Sequence, residues 1–129
     1  MSERRADTPS WTDLLRWAQA QVRSTLAALP RKLRAAAQDL PVTYEHRPNE
    51  ALVAEGIEPD TLGLFVGGEF AEGTHAILPA QVILFLDNIW DMVEGDPQWF
   101  EDEVRTTLLH ELGHYLGLNE GDLEDRGLD

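Results

Sequence analysis

Residues 110–120, with the sequence HELGHYLGLNE, constrain the fold of this chain more than any other segment. On an α-helix, His110 and His114 are four residues apart, so their side chains leave one face about 40° from each other and one turn apart. Two imidazoles in this arrangement can share one tetrahedral metal ion. Glu111 flanks the same face, where a carboxylate can lie beside a metal-bound water as a general base without being a ligand.

A third ligand has to come from beyond this helix. If the helix continued, residue 120 would lie roughly 15 Å further along the axis and about 280° round from His110. Gly117 can adopt the left-handed conformation that ends helices, which allows the chain to reverse. The candidates that such a turn returns to the histidines are Asn119, Glu120 and Asp122. We select Glu120, because two histidines and one carboxylate form a catalytic zinc set that leaves a fourth position open for water.

The composition supports a catalytic metal site rather than a structural one. The chain of 129 residues contains no cysteine, so its metal donors must be nitrogen and oxygen. Structural zinc modules are commonly built on four cysteines, or on two cysteines and two histidines. We therefore predict one zinc ion per chain, bound by His110, His114 and Glu120, with Glu111 as the catalytic residue.

The sequence before the motif predicts a long and mostly buried helix. Asp96 and Pro97 suit the N-cap and first helical positions, and apolar residues follow at helical spacing as far as Leu116. A single polar stripe remains on this helix, and we expect it to face a cleft. The stripe consists of Glu103, Thr107, His110 or Glu111, and His114.

Hydrophobic periodicity predicts the other elements. We expect helices at about 10–30 and 31–39, a strand at 42–46, a short helix at 49–55, and strands at 61–66 and 81–87. Residues 1–9 are predicted to be flexible, and residues 10–129 to form one domain. If the strand with the sequence VILFLD lies at the sheet edge beside the cleft, an extended peptide could add to it.

The segment HELGHYLGLNE resembles the zincin metallopeptidases. The pattern HExxHxxGxx followed by an acid is similar to that of a small bacterial zincin-like metallopeptidase family, the minimal zincins. The resemblance extends loosely over most of the chain, although only residues 110–120 are specific. It implies a compact α+β domain, with a small mixed β-sheet packed on an N-terminal helix and on a C-terminal metal-binding helix. It also implies zinc ligation by His110, His114 and Glu120, and catalysis by Glu111.

The chain departs from one larger group of zincins. Metzincins carry a histidine where this chain has Glu120, and they have a methionine turn beyond it. Here Met1 and Met92 both precede the motif. The resemblance is therefore to the family with an acidic third ligand.

Charge is distributed unevenly along the sequence. The net charge is −14, and residues 51–129 carry only two basic side chains against eighteen acidic ones. Nucleic-acid binding draws on clustered lysine and arginine, so this balance argues against it. It favours a cationic peptide or protein substrate, although a solvated acidic surface that keeps the protein soluble would have the same composition.

The N-terminal segment contains no apolar run, so we predict neither a signal peptide nor a membrane span, and we expect a cytoplasmic protein. The sequence leaves the oligomeric state open. His46 and His75 are isolated histidines that could act as extra ligands or as transition-state donors.

We conclude from the sequence that the protein is a zinc-dependent metallopeptidase. The main alternative is a metal-stabilised binding module that uses the same site and cleaves nothing, because only nine residues follow Glu120 to build a substrate cleft. A metal-dependent ribonuclease is a third hypothesis, since some small enzymes of that kind carry a three-histidine motif. Glu111, Glu120 and the acidic balance argue against the ribonuclease.

Overall fold

Five helices and a three-stranded sheet make up residues 8–67 and 80–116, the part of the chain that a computed structural model describes. The helices are α1 (Trp11–Ala27), α2 (Arg31–Ala37), α3 (Glu50–Ala54), α4 (Leu86–Met92) and α5 (Pro97–Leu116). The strands are β1 (Val42–Glu45), β2 (Gly63–Val66) and β3 (Gln81–Phe85). The predicted α+β class is confirmed. Most of the segment predicted to be flexible lies outside the described residues, and the division into one domain stays a prediction.

The sheet is mixed, with the strand order β1-β3-β2. Strand β3 is central, because it pairs in parallel with β1 and antiparallel with β2. In this strand Val82, Leu84 and Phe85 are fully buried, whereas Gln81 and Ile83 are partly buried. The hypothesis that a peptide adds to VILFLD at a sheet edge is therefore wrong, since both sides of this strand are already paired.

Helix α1 begins at a capping box. The backbone N–H of Asp13 donates to the Ser10 hydroxyl at 3.1 Å, and the Ser10 N–H donates to the Asp13 carboxylate at 3.1 Å. The second of these bonds holds the pKa of the Asp13 carboxyl below its usual value. One stripe of the helix, made up of Leu14, Ala18 and Val22, is buried, and α1 packs against α5.

Helix α4 was not predicted from the sequence. The strand predicted at 81–87 ends at Phe85, and α4 begins at the next residue, Leu86. Leu86 and Ile89 are both fully buried, so the apolar run of the strand continues without a break into the buried face of the helix. Periodicity marks no boundary in such a run. The buried Asn88 amide donates to the carbonyls of Pro59 and Thr61, which fastens the segment before β2 to α4.

Helix α5 has the predicted start and the predicted buried face. The Asp96 carboxylate accepts from the N–H groups of Gln98 at 3.0 Å and Trp99 at 3.3 Å, which is N-cap bonding, and Pro97 is the first helical residue. Its fully or almost fully buried residues are Phe100, Val104, Leu108, Leu109 and Leu112. They place α5 against α1, α4, β2 and β3. None of the helices in residues 8–67 and 80–116 is both long enough and apolar enough to cross a membrane.

Strand β2 lies unusually close to α5 at Gly63. A Cβ atom added to Gly63 would lie 2.5 Å from Cγ2 of Thr107, which is closer than side chains approach each other in folded proteins. Thr107 is buried and β-branched, so it has little freedom to move aside. The absence of a side chain at position 63 therefore sets the distance between the strand and the helix.

We expect Gly63→Ala to lower the free energy of unfolding by about 1–3 kcal/mol, because overpacking forces neighbouring groups apart. Urea denaturation measures this directly. Thr107→Ser removes the clashing methyl group and keeps the hydroxyl, so the double variant should recover part of the loss in a double-mutant cycle. An unchanged unfolding midpoint in Gly63→Ala would contradict the close approach of β2 and α5 at this position.

Candidate metal centre

Three side chains of α5 converge as the motif predicts. His110, Glu111 and His114 each offer one ligand atom, and these atoms all lie within 4.8 Å of one another. The two imidazole rings have centroids 4.7 Å apart and are inclined at 64°. Both histidines are exposed, whereas Glu111 is only 8% exposed. Two imidazole nitrogens on neighbouring turns suit zinc, and the Glu111 carboxylate lies beside them where a general base is needed, so these residues fit the predicted ion.

Glu111 is fixed between the helix and the sheet. Its Oε1 accepts a hydrogen bond of 3.0 Å from the backbone N–H of Phe65 in β2. The same oxygen lies 3.4 Å from Nδ1 of His114. A hydrogen bond from an N–H group to a carboxylate is charge-assisted and stronger than one between neutral groups. The carboxylate therefore has a defined position beside both the strand and a proposed ligand.

The pairing of β2 explains why the Phe65 N–H is available. Residues of an antiparallel strand alternate between those that bond to the partner strand and those whose N–H and C=O face the other way. The Phe85 N–H donates to the carbonyl of Leu62, so Leu62 belongs to the set that bonds to β3. Gly63 and Phe65 belong to the outward-facing set. Their backbone N–H and C=O groups therefore point away from β3, and the N–H of Phe65 meets Glu111 of α5.

An open cleft of about 280 Å³ adjoins this cluster. Its lining residues come from α5, from the start of β2 and from the residue before that strand, and they are Leu62, Gly63, Glu103, Thr106, Thr107, His110 and Glu111. The prediction that the polar stripe of α5 faces a cleft is confirmed for Glu103, Thr107, His110 and Glu111. His114 is not among the residues that line this cleft.

An aromatic pair flanks the cluster on the His114 side. The rings of Phe65 and Tyr115 are 5.4 Å apart at an angle of 56°. Tyr115 is 38% exposed, so its ring packs on Phe65 at the surface of the protein. The residues of β2 at this site were missed by the sequence analysis. No local signal identifies them, because Phe65 and Glu111 are 46 positions apart.

Several predicted participants lie outside the described residues. They are Glu120 and its competitors Asn119 and Asp122, the turn residue Gly117, and His75. The ligand role of Glu120 therefore stays a prediction. His46 is described and lies elsewhere: its Nδ1 is 2.9 Å from the carboxylate of Asp87, and its ring stacks on Trp11 at 4.0 Å. Within residues 8–67 and 80–116, it joins no group of potential metal ligands.

The ligand geometry predicts the effect of removing either histidine. We expect the protein to bind about one zinc ion per chain, and His110→Ala or His114→Ala to lose most of it, because each removes one of the few donors. Elemental analysis of the purified full chain after gel filtration measures the content. His46→Ala is the matched control and should retain the metal. Stoichiometric zinc in the His110→Ala, His114→Ala double variant would contradict the assignment.

Comparison with known proteins agrees with this geometry. A family model described as zincin-like metallopeptidase matches residues 37–128. The match covers well over half of the chain, and it includes the sheet, all of α5 and the segment up to Glu120. Among curated proteins, no sequence matches the chain. The resemblance of the HELGHYLGLNE segment is thereby confirmed, and the chain belongs to the zincin-like metallopeptidase family.

Proposed function

We propose that this protein is a zinc-dependent metallopeptidase that hydrolyses peptide bonds. The observation that carries the proposal is the position of Glu111: a nearly buried carboxylate lies within 4.8 Å of two exposed imidazoles, at the rim of a cleft. A general base has to lie within hydrogen-bond reach of the proton that it removes. The family match supports the same function.

Each residue of the cluster has a separate role in this proposal. His110 and His114 hold the ion, and a carboxylate beyond α5 completes the ligand set. A zinc ion bound there supplies the acidity of the attacking water and the polarisation of the scissile carbonyl. Glu111 takes the proton of the water and delivers it to the leaving amine. The Phe65 N–H holds one oxygen of Glu111, which orients the carboxylate during both transfers.

A metal-stabilised binding module is the second candidate. The bond between Glu111 and the Phe65 N–H joins α5 to β2, and a protein without catalytic activity would gain the same stability from it. In such a module Glu111 would stabilise the fold, and the histidines would bind a metal ion without any hydrolysis of peptides. The two candidates differ in what a change at Glu111 does to hydrolysis.

Glu111→Gln is expected to retain both fold and zinc and to lower the rate of peptide hydrolysis by about 100-fold or more, the usual scale of general-base catalysis. The amide oxygen can still accept from the Phe65 N–H, but glutamine cannot take up the proton. Turnover of an unfolded polypeptide by the zinc-loaded chain measures the change. Asp102→Asn, at an exposed acid on the same helix, is the control. Activity that survives Glu111→Gln within a few-fold excludes Glu111 as the base.

The third ligand can be tested by comparing neighbouring acids. We expect Glu120→Ala to weaken zinc binding far more than Asp122→Ala or Glu124→Ala, because only a residue just beyond a turn at Gly117 is expected to return to the histidines. Competition with a chelator at fixed pH ranks the three variants. If Asp122→Ala releases zinc while Glu120→Ala retains it, the third ligand is Asp122.

A further inference from the structure

A second carboxylate, that of Glu103, lines the cleft beside the metal centre. Seven residues separate Glu103 from His110, which is almost two full helical turns. The two side chains therefore leave the same side of α5 about 10 Å apart along its axis. Glu103 is thus too far along the helix to join the cluster of His110, Glu111 and His114, and that cluster does not include it.

The carboxylate of Glu103 has a fixed position in the cleft wall. The hydroxyl of Thr107 donates to its Oε2 at 3.1 Å. Thr107 is itself buried beneath Gly63, so the donor cannot easily turn away. Among the ion pairs of residues 8–67 and 80–116, none includes Glu103. Its negative charge is therefore not compensated by a basic side chain in that part of the chain.

The remaining walls of the cleft suit an aliphatic chain. Leu62 and Gly63 line the cleft from β2 and the segment before it, and Thr106 and Thr107 line it from α5. A volume of about 280 Å³ is just below the range of roughly 300–1,000 Å³ for pockets that hold drug-sized ligands. It provides space for one side chain of a substrate. Lysine and arginine combine an apolar stem with a cationic end, which matches a cleft that contains both the Leu62 side chain and the Glu103 carboxylate.

We propose that Glu103 determines specificity by binding the lysine or arginine side chain of a substrate residue next to the scissile bond. The inference rests on the proposed peptidase function, because it places the substrate backbone over Glu111 and one side chain along α5 towards Glu103. The net charge of −14 acts in the same direction, since it attracts cationic peptides to the protein over longer distances. Thr107 is a positioning residue that holds the Glu103 carboxylate towards the cleft.

The test uses one set of peptides for each position next to the scissile bond. The peptides of a set differ only in having lysine, alanine or glutamate at that position. With the zinc-loaded full chain, kcat/KM at one of these positions should be about tenfold or more higher for lysine than for alanine, the scale of a well-placed charge pair. Glu103→Gln should bring this ratio close to one, and Glu103→Lys should favour glutamate. The preference should also decrease as salt is added.

Two features of the variants separate a loss of specificity from a loss of structure. In Glu103→Gln the amide oxygen can still accept from Thr107, so the hydrogen bond remains while the charge is removed. Asp102→Asn removes the same charge from the neighbouring exposed position, which does not line the cleft. It should leave the lysine-to-alanine ratio within about twofold, as expected for an exposed charge.

The outcomes distinguish this inference from the proposed function. If peptides are cleaved without a lysine preference at any position, or if Glu103→Gln keeps the preference, the role of Glu103 is wrong and the peptidase function stands. If no peptide is cleaved, the peptidase function fails. In that case, the affinities for the lysine and alanine peptides are measured with the zinc-loaded Glu111→Gln variant, with and without the additional change Glu103→Gln. Tighter binding of the lysine peptide that depends on Glu103 then supports a cleft that binds cationic side chains without cleavage, and equal binding overturns the role of Glu103.

Discussion

The hydrogen bond between the Phe65 N–H and Glu111 is the contact on which the geometry of the site depends. A carboxylate that is 8% exposed loses most of its hydration, and the loss is costly unless hydrogen bonds replace it. The strand provides one such bond at 3.0 Å. This bond requires β2 to approach α5 closely, which Gly63 allows. The position of the carboxylate and the packing of the strand are therefore determined by the same contact.

Helix α5 has one side in the core and another at the exposed metal site. The helical period places the apolar residues on the first side and the histidines on the second. Phe100, Val104 and Leu108 are fully buried in the core. His110 and His114 are exposed, one turn from each other and on the side that leaves the core. Most of the helix circumference is thus anchored by packing, which limits its rotation. A metal ion would then meet two imidazoles on a backbone that is already fixed.

Local signals in the sequence predicted the two long helices and the cluster on α5. The caps at Ser10 and Asp96 depend on residues three positions or fewer away, and the convergence of His110 with His114 follows from helical spacing alone. The end of β3 and the start of α4 could not be predicted, because one apolar run serves both elements. The hydrogen bond between Phe65 and Glu111 and the position of β3 in the centre of the sheet depend on tertiary packing. No local sequence pattern predicts them. Glu120, the proposed third ligand, lies beyond the described residues.

The two glutamates of the cleft differ in environment, and this difference separates their proposed roles. Glu111 is bonded to a backbone N–H and lies 3.4 Å from an imidazole nitrogen, whereas Glu103 is bonded to the hydroxyl of Thr107. With Glu120 as the proposed third ligand, the charges of Glu111 and Glu120 balance the two positive charges of a zinc ion. Glu103 then provides the remaining negative charge of the cleft. Neutral imidazole ligands add no charge, so the zinc ion together with Glu111 and Glu120 carries no net charge. The cleft therefore attracts a cationic side chain most strongly at Glu103.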